Sequence, residues 1–77
     1  MNNAAWLTIV YDDDGKPIDY FLFRTSDQVR NSIMFSYHKR DDKPTISERG
    51  RDIIAVYDGK KVVEARYTPV YDEASHL

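Results

Sequence analysis

Ala5-Trp6-Leu7-Thr8-Ile9-Val10-Tyr11, then Asp12-Asp13-Asp14-Gly15-Lys16, then Pro17-Ile18-Asp19-Tyr20-Phe21-Leu22-Phe23-Arg24: this stretch decides the fold. β-branched and aromatic residues dominate its first run, and such residues fit a pleated, half-buried surface. The acidic run suits a turn, because Asp tolerates turn geometry and Gly15 accepts positive φ without steric cost. Pro17 has no N–H to give a ladder and suits the start of a strand. The stretch predicts a β-hairpin with strands over Ala5–Tyr11 and Ile18–Arg24.

Two registers are open to it. A two-residue turn at Asp14-Gly15 puts Leu7, Ile9 and Tyr11 on one face with Ile18, Tyr20 and Leu22, and Trp6, Phe21 and Phe23 opposite. A turn closed by a bulge at Gly15 slips the pairing by one residue and exchanges the faces of one strand. In both registers both faces carry large apolar groups, whereas a hairpin with one face in water alternates more cleanly. Part of the second face is therefore expected to be covered.

Downstream, Thr25 and Gln28 have capping-box spacing, and Asp27 places a negative charge in the first turn of a helix. Val29, Ile33 and Tyr37 recur at helical period, with Met34 widening the stripe and Phe35 lying off it. A helix is expected from about Ser26 to Lys39, closed by the positive charge of His38-Lys39-Arg40. Asp41–Arg51 reads as a polar connection. Thr45 and Glu48 repeat the capping-box spacing and Gly50 can end a helix, so one short helical turn is expected there. Asp58-Gly59 between β-branched runs predicts a second hairpin, Asp52–Tyr57 with Lys60–Thr68. Pro69 argues against further central pairing, Val70 and Tyr71 can extend an edge, and residues 72–77 are expected to fray.

The resulting expectation is a single α+β domain over residues 1–77: a four-stranded antiparallel sheet in β-β-α-β-β order with one helix packed on one face. At 77 residues with 42% apolar and 31% charged residues, the composition is that of a folded domain. The chain has no cysteine, which excludes disulfides and thiolate metal sites and fits a reducing compartment. No apolar run nears the roughly 20 residues that span a bilayer, and no secretory signal pattern opens the chain. A cytoplasmic protein with no membrane partner is expected.

No catalytic pattern emerges. The three glycines, Gly15, Gly50 and Gly59, are each placed where a turn or cap needs one, so none is left for a phosphate-binding loop. Aligning Gly15 with the glycine of an EF-hand loop puts Phe21 where a bidentate Glu belongs, so a calcium loop fails. His38 and His76 are isolated, and a structural metal site needs three or four ligands. Neither an enzyme, a metal nor a cofactor is expected.

The remaining signals concern surfaces. The formal net charge is −2, with an acidic hairpin turn near one end and a basic middle. Asp12, Asp13 and Asp14 form an acidic contact candidate able to mimic phosphate. Lys39, Arg40, Lys43, Arg49 and Arg51 form a basic candidate, diluted by Asp41, Asp42 and Glu48. Trp6, Phe21, Phe23 and Phe35 are the aromatic surface candidates. The leading expectation is a small protein-binding module, an inhibitor or adaptor of the type that phages and mobile elements use to mask host machinery. One alternative is a binder of RNA or single-stranded DNA using an aromatic sheet face, with Tyr20 joining the set, and the basic loop. The net charge weighs against this alternative. A structural homodimer is the third.

Overall fold

The computed structural model describes residues 2–71. Strands β1 (Asn2–Tyr11) and β2 (Pro17–Phe23) form the first hairpin, and α1 (Ser26–Ser36) follows. Strands β3 (Thr45–Arg49), β4 (Asp52–Tyr57) and β5 (Lys60–Tyr71) complete one antiparallel sheet in the order β2-β1-β5-β4-β3. The sheet therefore has five strands, not the four expected. The extra strand is β3, in the segment expected to hold a helical turn. Gly50 has φ +56°, which a helix terminus would also use. Here it opens a two-residue turn between the paired residues Arg49 and Asp52, the first central position of a type II′ hairpin.

β1 and β2 pair Trp6 with Phe23, Leu7 with Leu22 and Ile9 with Tyr20, the faces given by the first of the two registers. At the turn the pairing shifts by one, Tyr11 lying opposite Pro17, and Ile18 is the extra residue. The turn itself is of the second kind. The Gly15 N–H donates to the Asp12 carbonyl at 3.0 Å, the Asp12 N–H donates to the Lys16 carbonyl at 2.9 Å, and Gly15 has φ +81°. Both features coexist because the bulge at Ile18 absorbs the slip.

Asp12 builds this turn with its side chain. Its Oδ1 accepts from the N–H groups of Asp14 and Lys16, each at 2.9 Å. Asp13 and Asp14 are exposed, and their side chains accept no such bond. Asp12→Ala is therefore expected to cost about 1 kcal/mol, as for loss of hydrogen bonds at a solvated site. Asp13→Asn should stay within about 0.5 kcal/mol. Thermal melts of the two variants side by side check this; equal losses would contradict it.

The helix starts as its capping box requires. The Thr25 hydroxyl accepts from the Gln28 N–H at 3.1 Å, and Gln28 Oε1 accepts from the N–H groups of Arg24 and Thr25. It ends at Ser36, before the basic run expected to close it. Lys43 ties down the turn that follows the helix: its Nζ donates to the carbonyls of Tyr37, His38 and Arg40 at 2.8, 3.2 and 2.7 Å.

Val29 and Ile33 press α1 onto the sheet, where Trp6, Ile53, Ala55, Val63 and Ala65 complete the core. The register puts these sheet residues on one face: Trp6 pairs with Tyr67, Ala65 lies between Thr8 and Ile53, and Val63 lies between Val10 and Ala55. At the β3 edge, Arg30 of α1 forms an ion pair with Glu48 on the same face. Thr8, the one buried polar residue recorded in the core, is satisfied by donating its hydroxyl hydrogen to the Trp6 carbonyl at 3.2 Å.

β5 continues through Pro69, paired with Ala4. Its pairing with β4 ends at Arg66, so Pro69 lies where β5 has a neighbour on one side only. There a missing N–H costs no second ladder. Residues 72–77, expected to fray, lie outside the described residues.

Candidate functional site

The second face of the sheet has no layer over it among the described residues. Its composition differs across its width because β5, the central strand, presents Glu64 and Arg66 there. Glu64 is held by Lys61 Nζ at 2.8 Å and by the Tyr11 hydroxyl at 3.0 Å, and Arg66 by Asp52 at 3.1 Å. This charged stripe divides two apolar areas. Ile54 and Val56 of β4 lie on one side of it. On the other, Leu7 and Ile9 of β1 face across to Leu22 and Tyr20 of β2. Tyr20 is 60% exposed and Leu22 65%. The part of the second face expected to be covered is thus left open by its own chain.

The Lys61 ammonium and the Tyr11 hydroxyl hold the Glu64 carboxyl below the usual carboxylate range. Burial and the bond to Glu64 push the Tyr11 phenol up. A depressed carboxylate contributes stability above its unfolded value, about 4.3, and loses it as pH falls through the folded value. Glu64→Gln should therefore melt below the wild type at pH 7, with the gap closing as pH drops under about 4. A gap that stays constant with pH would show that Glu64 acts through packing alone.

The expected site residues do not come together. Of the acids, Asp12 is committed to its turn, and Asp13 and Asp14 project into solvent. Of the basic set, Lys43 is spent on the carbonyls of the turn after α1. The Arg40 guanidinium lies over the rings of Tyr37 and Tyr57, at 5.7 and 5.4 Å. Lys39 lies just beyond the helix, Arg49 ends β3 and Arg51 sits in the β3–β4 turn, all exposed.

The aromatic set is split as well. Trp6 is 7% exposed and packs against Tyr67 at 5.4 Å, so it is a core residue. Phe21 and Phe23 stack on each other at 5.8 Å on the helix side, Phe23 half-buried. Tyr20 points to the opposite face. Phe35 is 73% exposed and stacks on His38 at 4.9 Å.

The comparisons with known proteins return nothing. No protein-family model, curated protein or solved structure matches the chain. Among the described residues no three His, Asp or Glu side chains gather as metal ligands, and no helix is long and apolar enough to cross a membrane. A cleft of about 280 Å³ lies between α1 and the sheet, with Ile33 and Val63 in its wall and Arg40 at its margin. Three of its hydroxyls are used internally, Thr8 toward the Trp6 carbonyl, Ser36 toward the Ser32 carbonyl and Tyr11 toward Glu64. No pair of groups in it forms a nucleophile and base.

Leu7 and Leu22 were absent from the sequence-derived site candidates. Their signal was present in the two-sided apolar pattern of the hairpin. The register was needed to say which side stays open.

Proposed function

We propose that the chain is a non-enzymatic protein-binding module, an inhibitor or adaptor that masks a partner surface with the open face of its first hairpin. The carrying observation is the cluster of Leu7, Ile9, Tyr20 and Leu22, contiguous across β1 and β2 and bordered by the charged stripe on β5. An apolar core with a charged rim is the usual make-up of a protein interface. Isolated surface apolar residues need no explanation, but a contiguous group on an open sheet face does. The nucleic-acid reading draws less support, because stacking needs several aromatic faces on one surface and these are divided among the core, both sheet faces and the helix.

The test is a comparison of wild type with a Leu7→Lys/Tyr20→Lys variant in affinity capture from the native host, with nuclease present. Both side chains leave the helix-side core untouched, so the variant should fold, with a loss of about 1 kcal/mol. The expected result is a partner retained by the wild type and lost by the variant. A partner retained equally by both would overturn the reading, and one lost to nuclease treatment would favour nucleic acid.

A further inference from the structure

We infer that the open face of the sheet pairs with the same face of a second copy, in a face-to-face dimer that caps the apolar cluster until another partner displaces it. The dimer rests on the register of the sheet; only the displacement rests on the protein-binding reading.

Both edges of the sheet are guarded, which leaves the face. β3 is five residues long, and only Ile46 among them is apolar. On β2, Pro17 opens the strand, Ile18 bulges, and the Asp19 carboxylate accepts from the outward Tyr20 N–H at 2.9 Å. Short, charged, bulged or proline-bearing edges resist pairing with other chains. On the open face, two rows of side chains run across the strands. One row is Leu22, Leu7, Arg66 and Asp52, and the next is Tyr20, Ile9, Glu64 and Ile54. They flank the level of Phe21, Thr8, Ala65 and Ile53, whose side chains turn to the helix side. The ladders are regular here, with their shifts falling beyond Val10 and Ala55.

Two identical copies meet through the same patch when a twofold axis lies in the interface. An axis running across the strands at the level of Thr8 exchanges the two rows. Leu7 then lies over Ile9 of the second copy, Leu22 over Tyr20 and Arg66 over Glu64, each contact made twice. Apolar groups meet apolar groups, and each guanidinium meets a carboxylate. Asp52 falls over Ile54 and is the one unmatched position; its carboxylate is already held by Arg66 at 3.1 Å. An axis running along β5 instead sets Glu64 over Glu64 and Arg66 over Arg66, and opposed like charges reject that arrangement. The charge pattern thus selects one way for the face to meet itself.

The two charged groups have bonding capacity left for such a contact. Tyr11 and Lys61 both bind Glu64 through its Oε2, so Oε1 is open among the described residues. Arg66 binds Asp52 through Nε, so its two terminal nitrogens are open in the same sense, and its side chain is 71% exposed. Arginine joined to carboxylates on both sides makes a charge-assisted chain across the interface. With strands about 4.8 Å apart and a rise of about 3.4 Å per residue, the matched area is roughly 300 Å² in plan per copy. That places the contact among small, reversible interfaces, as a displaceable cap requires.

The experiment is sedimentation equilibrium of the wild type, of Glu64→Arg and of Arg66→Glu, from about 10 μM to 1 mM, the range in which small interfaces dissociate. The wild type should dimerise within it. Each variant alone sets like charges over each other and should weaken dimerisation about tenfold or more. An equimolar mixture of the two variants should recover it, because every charge again faces its opposite, while the contacts within each chain are the same as in the variant alone. Both changes lie outside the helix-side core, and circular dichroism checks that the variants fold. A measurement without variants stands beside this: mixed labelled and unlabelled wild type should show intermolecular nuclear Overhauser effects between the methyls of Leu7 and Ile9. A wild type monomeric to 1 mM, variants that dimerise as it does, a mixture that fails to recover, or a dimer without those effects would each overturn the inference. If the dimer fails while the Leu7→Lys/Tyr20→Lys variant still loses its captured partner, the masking reading stands. If the dimer holds and that variant keeps the partner, the masking reading alone falls.

Discussion

Ile33→Ala is expected to unfold a large fraction of the protein at 25 °C. Ile33 is 2% exposed, and with Val29 it is one of the two buried residues through which α1 holds the sheet. Truncating a buried Ile removes its transfer free energy and leaves a cavity, together about 2–5 kcal/mol. A domain of this size has a net stability of only about 3–5 kcal/mol. The helix has just 11 residues. Isolated helices shorter than about 12–15 residues are marginal in water, so α1 depends on this packing. Chemical denaturation followed by far-ultraviolet circular dichroism measures the change. A loss under 1 kcal/mol would mean that the helix is held by something other than its apolar stripe.

Ala65→Leu should be damaging for the opposite reason. Ala65 is fully buried on the central strand, flanked by Thr8 on β1 and Ile53 on β4. With Ala55 it makes a low patch in the sheet, on the face that Val29 and Ile33 press against. Leucine there adds bulk beneath the helix and must push it away or twist its neighbours, at a cost of about 1–3 kcal/mol. If the helix is displaced, the exposed core should bind a hydrophobic dye that the wild type does not bind. A variant as stable as the wild type, with no dye signal, would contradict the packing described for this layer.

The sequence made some elements legible because their determinants are local. Thr25 and Gln28 announced the helix start and both of their reciprocal bonds are present. Asp58 and Gly59, with φ of 54° and 74°, form the tight turn that their identities require. β3 was not legible because its determinants are not local. Only Ile46 of its five residues turns a sizeable apolar group inward, while Thr45, Glu48 and Gly50 reproduce helix-end spacing. Positive φ at Gly50 serves a helix end and a hairpin equally well. What makes the segment a strand is β4, an apolar neighbour reached by a two-residue turn.

The surface was legible only as an imbalance. Two-sided apolar character in the first hairpin showed that the chain carries more apolar surface than one helix can cover. Which residues remain open depends on the bulge at Ile18, a feature that residue types do not specify. The charge candidates misled because contacts within the fold consume them: Lys43 binds the carbonyls of the turn after the helix, Arg40 lies over two tyrosine rings, and Asp12 organises its own turn. What remains is a sheet finished on one face and open on the other.

Hydrogen exchange on the protein alone and bound to its captured partner tests the central claim most directly. Binding through the open face of the first hairpin should slow exchange within Pro17–Phe23, the outward Tyr20 and Leu22 amides foremost. It should leave the Asp12–Gly15 turn and the basic residues 39–43 unchanged. Slowed exchange confined to that turn, to the basic loop or to α1, with β2 exchanging as in the free protein, would contradict the account.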